Sequence, residues 1–146
     1  MLSNSCRYGI RAIIYIASCS EVSSKTGIKK IAESLELPTP FLAKILQQLV
    51  KQKILVSLKG PHGGFSLQKD PKKITLYDII LSIDGDDIFT NCIMHNGTCK
   101  SMSKERAYCT LHYEYSKVRS ELRELFRSRT IYDLVQKAGD TEKVFI

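Results

Sequence analysis

Apolar residues recur at intervals of three and four along the first third of the chain, a spacing that places them on one face of an α-helix. The first such stretch runs from about Ser5 to Cys19, the second is little more than two turns long, and the third follows Pro38. Their apolar positions are, in chain order, Ile10, Ile13, Ile14 and Ala17; Ile28, Ile31, Ala32 and Leu35; and Leu42, Ile45, Leu46 and Leu49. We therefore expect three helices that each bury one face.

The second and third helices are separated only by the tight turn at residues 36–38. We expect Thr39 to cap the third helix through its hydroxyl, and Pro40 to occupy the first helical position, where its missing N–H costs no hydrogen bond. The face opposite the apolar stripe carries side chains that can reach phosphates and base edges, namely Lys44, Gln47, Gln48 and Lys51. Two short helices with a polar, basic outer face on the second are typical of a helix-turn-helix.

A β-hairpin is predicted directly after these helices. Residues 54–58 are a β-prone run, residues 60–64 have turn chemistry, and residues 65–67 alternate again. The tip holds Lys59 and His62 beside glycines, which let the backbone approach a phosphate or the floor of the minor groove. Gly63 and its neighbour are also ordinary turn residues when taken alone. The order of elements predicts a mainly α fold with a small β-hairpin wing, a winged helix-turn-helix.

The rest of the chain is predicted to hold a helix capped by Thr75, an irregular loop over residues 88–108, and a long helix from about Thr110 to Arg129. The long helix has a seam whose members recur at intervals of 4, 3, 4 and 3: Leu111, Tyr115, Val118, Leu122 and Leu125. Such a seam favours pairing with a second copy in a homodimer, and the alternative is that the helix folds back on its own domain. We divide the chain into a DNA-binding domain (1–84), a sensor loop (85–112), and a dimerisation helix with a C-terminal segment (113–146).

Positive charge is concentrated in the first half of the chain. Of the net +7 over 146 residues, residues 1–73 contribute 12 Lys and Arg against 4 Asp and Glu, whereas residues 74–146 hold 10 against 11. A polyanion attracts a basic surface through counterion release, so double-stranded DNA is the expected partner; a merely solvated surface is the alternative.

The chain has no apolar run of about 18 residues, and its first residues lack the layout of a signal peptide. We therefore expect a cytoplasmic protein with no membrane partner. In a reducing compartment, the five cysteines serve metals, redox chemistry or packing more often than disulfides. Cys6 and Cys19, on or beside the first helix, are interpreted as packing residues.

Three cysteines and a histidine fall within 21 residues: Cys92, Cys99, Cys109 and His112. Thiolate and imidazole are the ligands that soft metal centres select, and Cys109 and His112 share one helix face. Three interpretations are open, namely an iron-sulfur cluster, a structural zinc site and thiols that bind no metal, with His95 as a substitute ligand. A Cys109 nucleophile with His112 as its base would lack an orienting third group, so we do not expect an enzyme.

Four segments resemble the Rrf2 family of winged-helix transcriptional regulators, whose members include iron-sulfur, nitric-oxide and cysteine-metabolism regulators. They are YGIRA (8–12), LPTPFLAKILQQL (37–49), KGPHGGF (59–65) and ITLYDI (74–79). The resemblance spans residues 1 to about 135. It implies a homodimeric transcription factor, a repressor in our interpretation, with a cluster on Cys92, Cys99 and Cys109 that senses redox, iron-sulfur or nitric-oxide status.

The resemblance also bears on the fourth ligand. Some members of the family place a histidine three positions after the third cysteine, as His112 is here, and others use an acidic residue before the N-terminal tyrosine, where this chain has Arg7. A cation cannot ligate iron, which favours His112 and a [2Fe-2S] cluster, with [4Fe-4S] or zinc as alternatives. The residues expected to contact a palindromic operator are Thr39, Pro40, Lys44, Gln47, Lys59, His62 and Gly63.

Overall fold

The computed structural model describes residues 1–19, 25–94, 97 and 111–138. Over these ranges the fold is mainly helical with a two-stranded antiparallel hairpin, as the hydrophobic pattern predicts. In chain order the elements are α1 (Asn4–Cys19), α2 (Ile28–Leu35), α3 (Thr39–Lys51), β1 (Leu55–Leu58), β2 (Gly64–Leu67), a 3-10 turn (Pro71–Lys73), α4 (Leu76–Ile83), α5 (Asp87–Thr90), α6 (His112–Ser128) and α7 (Ile131–Ala138).

Helix α1 is the centre of the core and packs against α2, α3, α4 and α7. Ile13, Ile14 and Ile16 are almost completely buried. Gly9 lies where α1 meets α3 and α4, and a Cβ there would overlap the side chain of Ile83 and lie 3.3 Å from Cγ2 of Ile45. A glycine at this position therefore lets three helices approach one another closely.

The turn between α2 and α3 closes through the backbone. Glu36 has the left-handed φ of 54°, and the N–H of Leu37 donates to the carbonyl of Ala32 at 2.9 Å. The expected cap of α3 was placed one residue too late: Pro38 is the N-cap, and Thr39 makes no side-chain capping bond. The reason is that the N–H groups of Phe41 and Leu42 both donate to the carbonyl of Pro38, so the helix begins before the Thr39 hydroxyl can act as its cap.

The hairpin is anchored to the loop that precedes α2. Its register pairs Leu55 with Leu67 and Leu58 with Gly64. Thr26 adds a short bridge to Phe65, with N–H···O distances of 2.9 Å in both directions. Gly64 has φ +155°, and a Cβ there would lie 2.6 Å from the Thr26 carbonyl oxygen, so the close approach of these two backbones requires glycine.

Two capping boxes lie side by side at the starts of α4 and α7. As predicted, Thr75 caps α4 by accepting from the N–H of Asp78, whose carboxylate accepts from Thr75 in return. Thr130 and Asp133 repeat this arrangement, and these bonds hold the pKa of the Asp133 carboxyl below its usual range. Thr75 and Thr130 also form a β-bridge.

The region after α4 differs from the expected irregular loop, because residues 87–90 form the one-turn helix α5. Phe89 is buried there and contacts the rings of Tyr77 and Phe126, so tertiary packing supports a helix that has no periodic pattern of its own. Residues 95–96 and 98–108 of the predicted loop lie outside the described residues, as do Cys109 and Thr110 at the predicted start of the long helix. Within the described residues, helix α6 runs from His112 to Ser128.

The seam of α6 divides between two surfaces. Leu122 of the seam packs against the protein's own core, as does Phe126 outside the seam, whereas Leu111, Val118 and Leu125 are 37%, 56% and 48% exposed. One face of α6 thus packs on its own domain, and another face is exposed where a second copy could pack. The expected homodimer and the division of the chain at residues 84 and 112 remain predictions.

Within the described ranges, none of the helices combines the length and the apolar character that a membrane span requires.

Candidate DNA-binding surface and sensor site

Helix α3 presents the expected polar side chains away from the core. Its stripe of Leu42, Ile45, Leu46 and Leu49 is buried, which fixes the rotation of the helix. Pro40, Lys44 and Gln47 are exposed on the other side, and Thr39 is half-buried at the start. A cationic ammonium and an amide on one exposed helix face are suited to reading base edges and phosphates in a major groove.

Gln48 has a role that the sequence interpretation missed. Its Nε2 donates to the carbonyl of Ser82 at 2.9 Å and, less closely, to that of Ile83 at 3.4 Å. These are carbonyls in the last turn of α4, which lack partners within their own helix. Gln48 therefore ties α3 to α4, and this contact competes with the DNA contact expected from sequence.

The N-terminal part of α1 supports the start of α3. The rings of Tyr8 and Phe41 meet edge to face with centroids 5.8 Å apart, and the guanidinium of Arg11 lies over the Tyr8 ring at 5.8 Å. A tyrosine with a cation three residues later on the same helix is only a weak sequence signal for this contact. Arg11 adds positive charge beside the exposed face of α3.

The tip of the wing projects a cation and an imidazole. Lys59 and His62 are exposed, and the turn is closed by a 2.9 Å bond from the Gly63 N–H to the carbonyl of Gly60. Gly60 has φ +113°, which favours glycine. A Cβ on Gly63 would overlap the carbonyl oxygen of Leu58, so the fold of the hairpin itself requires this glycine.

Of the four proposed metal ligands, Cys92 and His112 lie within the described residues, and Cys99 and Cys109 lie outside them, as does the substitute ligand His95. Cys92 follows α5 and is half-buried, with its N–H bonded to the Gly97 carbonyl at 2.9 Å. Its Sγ accepts from the N–H of Met94 at 3.4 Å. His112 is exposed on the first turn of α6.

Cys92 lines a cavity of about 460 Å³ between the N-terminus of α1, the α4–α5 turn and the first turns of α6. Tyr115, three residues after His112, lines the same cavity. Ser3 lies in its wall and donates its backbone N–H to the Asp84 carboxylate at 2.8 Å. The cavity therefore adjoins both α6 and the end of α4, the helix end that Gln48 holds.

The residues around Cys92 suit an anionic thiolate centre. Arg119 is 9% exposed and donates from Nη1 to the carbonyls of Thr90 and Asn91, at 2.7 and 2.9 Å. Both acceptors are neutral, and Nε of Arg119 has no partner among the described residues. A buried cation without a counterion is costly, so a negatively charged group close by would lower its free energy. A set of thiolates and an imidazole around Cys92 would be such a group if it held iron or zinc.

Cys6 belongs to the core rather than to a metal site. It is completely buried, and burial, together with the nearby Asp84 carboxylate, raises the pKa of its thiol to about 12. A thiol of this kind stays protonated and unreactive near neutral pH, in agreement with its interpretation as a packing residue. Cys19, at the end of α1, is half-buried.

A family model described as "Iron-dependent Transcriptional regulator", Rrf2, matches residues 2–137 of the chain. A protein of Aquifex aeolicus named as a helix-turn-helix-type transcriptional regulator is 33% identical over 135 residues, which are 92% of this chain and 91% of that protein. Relatives of this kind are transcriptional regulators rather than enzymes.

Two solved structures have the same fold. The structure of CymR, the global cysteine regulator of B. subtilis, has a TM-score of 0.79 at 23% identity and covers 94% of this chain and 97% of its own. The structure of T. potens IscR has a TM-score of 0.77 at 22% identity, covering 98% of this chain and 91% of its own. At this identity the two structures establish the architecture alone.

Proposed function

The chain belongs to the Rrf2 family of transcriptional regulators, and from that premise we propose that it is a DNA-binding repressor controlled by an iron-sulfur cluster on Cys92, Cys99, Cys109 and His112. The cluster would report redox, iron-sulfur or nitric-oxide status. The observation that carries this proposal is the buried guanidinium of Arg119, which donates to the carbonyls of the two residues that precede Cys92 and whose Nε has no hydrogen-bond partner among the described residues. The family's description as iron-dependent agrees with it.

DNA recognition is assigned to the exposed face of α3 and to the tip of the wing. Gln47 would bind adenine with both ends of its side-chain amide, the NH2 donating to N7 and the carbonyl oxygen accepting from N6, and Lys44 would contact guanine or phosphate. Thr39 and Pro40 would lie along the groove edge at the start of the helix. Lys59, His62 and Gly63 would enter the adjoining minor groove. Because glycine has no Cβ, the protein backbone at Gly63 could approach the DNA closely there.

A homodimer would present two copies of this surface. The exposed stripe of Leu111, Val118 and Leu125 repeats every seven residues, as in helices that pack lengthwise on each other. Paired in this way, two recognition helices would occupy successive major grooves about 34 Å apart, one DNA turn. Two-fold symmetry of the protein then calls for a palindromic operator.

The preferred centre is a [2Fe-2S] cluster with His112 as the non-thiolate ligand, and [4Fe-4S] is the second choice. When bound, the cluster supplies a redox-active centre whose imidazole ligand makes it sensitive to protonation. Two residues of the chain would couple the centre to the DNA-binding elements. Cys92 would join the centre to α5, and Asp84 joins the cavity wall to α4. Occupancy changes DNA affinity only through contacts that differ between the loaded and empty states.

A regulator without a cluster is the second candidate, with zinc or free thiols at these positions and control by a protein or small molecule. The cavity beside Cys92 favours it, because about 460 Å³ falls within the range of small-molecule sites. Ser3, Asp84 and Asn91 would supply polar contacts to such a ligand.

Anaerobic purification from cells that can assemble clusters separates the two candidates. The proposal expects a coloured protein with visible absorption, and iron and acid-labile sulfide that co-elute with the dimer. His112→Ala should change the visible spectrum while keeping part of the iron, whereas Cys92→Ala should lose the colour. A colourless, iron-free preparation that still binds DNA would overturn the cluster and leave the second candidate.

A binding-site selection from random duplex DNA tests the operator. The expected product is a palindrome bound by one dimer, with affinity that falls steeply as salt rises. Selection of a single, asymmetric site would contradict the dimeric arrangement.

A further inference from the structure

The turn that carries Cys92 is held by arginines from α6. Helix α5 is a single turn, so nearly all its carbonyls lack partners within the helix. Arg119 bonds the carbonyls of Thr90 and Asn91, and Arg123 bonds that of Phe89 at 3.0 Å. Three successive carbonyls that end immediately before Cys92 are thus fixed by two guanidinium groups.

The two arginines are held in place by aromatic rings. The guanidinium of Arg119 lies 5.0 Å from the Tyr115 ring centroid, and that of Arg123 lies 5.7 Å from that of Phe89. Nε of each arginine is buried without a partner among the described residues. Because both are stacked, and Arg119 is buried and Arg123 half-buried, each guanidinium has little freedom to leave its carbonyl acceptors.

We propose that Arg119, assisted by Arg123, is a positioning residue that fixes the backbone in front of Cys92 and places a positive charge beside its thiolate centre. This inference rests on the proposed function for the identity of the centre. Arg119 touches backbone rather than metal, so it acts through Cys92. Loss of its bonds frees the turn, and loss of its charge weakens the attraction of the site for an anionic centre.

The same helix supplies a matched control. Arg127 lies one turn beyond Arg123, and its guanidinium stacks on Tyr77 at 4.5 Å. The structure gives it no bond to α5. Arg127→Met therefore removes a stacked cation from α6 and leaves the arginine hydrogen bonds to residues 89–91 in place.

The first measurement uses the apo-protein and needs no cluster. Alkylation rates of Cys92 and Cys6 are followed by peptide mass spectrometry in wild type, Arg119→Met, Arg119→Lys, Arg123→Met and Arg127→Met. Because Cys6 is in the core, its rate reports global unfolding, whereas Cys92 reports local release. We expect Cys92 alkylation to rise about tenfold in Arg119→Met, the factor expected when about one net hydrogen bond no longer holds the turn closed. It should rise less in Arg123→Met and not in Arg127→Met, with Cys6 unchanged.

The second measurement uses the anaerobically loaded dimer and follows iron release to a chelator. Arg119→Met should release iron about 10- to 100-fold faster than wild type, the range seen when groups that orient metal ligands are removed. Arg119→Lys keeps the positive charge but not the planar guanidinium with its paired donors. Its iron-release rate should therefore lie between those of wild type and Arg119→Met. The midpoint potential should shift to lower values in Arg119→Met, because a cation near the centre favours the reduced, more negative state.

The outcomes separate the inference from the proposed function. Wild-type rates of both Cys92 alkylation and iron release in Arg119→Met and Arg119→Lys would overturn the positioning role. Equal increases for Cys6 and Cys92 in both variants would also overturn it, since they would show a purely structural role. Failure of the wild type to take up iron overturns the proposed function, and the alkylation series then still decides whether Arg119 positions Cys92.

Discussion

Gln48 on α3 donates from Nε2 to the backbone carbonyl of Ser82 at the end of α4, at 2.9 Å. Two residues further along, the carboxylate of Asp84 accepts from the backbone N–H of Ser3 in the wall of the cavity that Cys92 lines. The end of α4 therefore contacts both α3 and the cavity that Cys92 lines. A displacement of α4 would act directly on α3 through the hydrogen bond between Gln48 and Ser82.

The neighbouring glutamines of α3 should respond differently to substitution. Gln48→Ala removes a hydrogen bond to α4 and should lower the free energy of unfolding by about 1 kcal/mol, measured by urea denaturation. Gln47→Ala should leave unfolding unchanged and weaken binding to the selected operator by about 1–3 kcal/mol, with loss of preference at one base pair. The opposite assignment of the two effects would contradict the orientation of α3 on DNA.

Lys59 at the tip of the wing should contribute a phosphate contact. Lys59→Ala is expected to weaken binding to all duplexes alike and to flatten the dependence of log K on log salt by about one unit. Lys69 is exposed just beyond β2, at the opposite end of the hairpin, and Lys69→Ala serves as the control of equal charge. Equal salt slopes for the two variants would remove the wing tip from the interface.

The exposed stripe of α6 should be the dimer contact. Val118→Asp places a carboxylate in that stripe and should shift the protein towards monomer in sedimentation velocity, because an unpaired charge is costly in an apolar interface. Ser120→Asp adds the same charge to an exposed position away from the stripe and should leave the dimer intact. A Val118→Asp protein that remains dimeric would place the contact elsewhere.

Burial of Cys6 should make stability fall at alkaline pH. The pKa of this thiol is about 12 in the folded protein against 9.0 for an ordinary cysteine, so the unfolded chain loses its proton first. The contribution is complete below pH 9 and is lost as pH rises from 9 towards 12. Cys6→Ala should flatten this part of the stability-pH curve, measured by thermal unfolding in matched buffers, and an unchanged slope would contradict the burial of the thiol.

The periodic helices were predictable because each buries a stripe that its own sequence displays. Helices α1 to α4 and the hairpin occur where the pattern of apolar residues indicated. The one-turn helix α5 was not predictable, since Phe89 is its only buried residue and its support comes from Tyr77 and Phe126 in other elements. The cap of α3 was misplaced by one residue because a backbone carbonyl, which every residue has, acts there in place of a side chain.

The candidate functional residues were likewise predictable only where a local sequence pattern indicates their position. Exposure of Lys44 and Gln47 could be deduced from the apolar stripe on the opposite face of α3, and exposure of Lys59 and His62 from their position in the hairpin turn. The partners of Gln48 and Arg119 could not, because each reaches backbone carbonyls 28 to 35 residues away in the chain. Backbone acceptors leave no mark in a sequence, so contacts of this kind emerge only from the folded structure.

The pairing of α4 with α7 has a practical consequence for protein engineering. Ile131 is completely buried, and its N–H donates to the Ile74 carbonyl at 2.9 Å, while the N–H of Leu76 donates to that of Arg129 at the same distance. The last described helix thus completes the core around the DNA-binding elements. A chimaera that joins α1 to α4 and the hairpin to the sensor domain of another protein must therefore include residues 130–138. Without them, other side chains would have to fill the space beside α1.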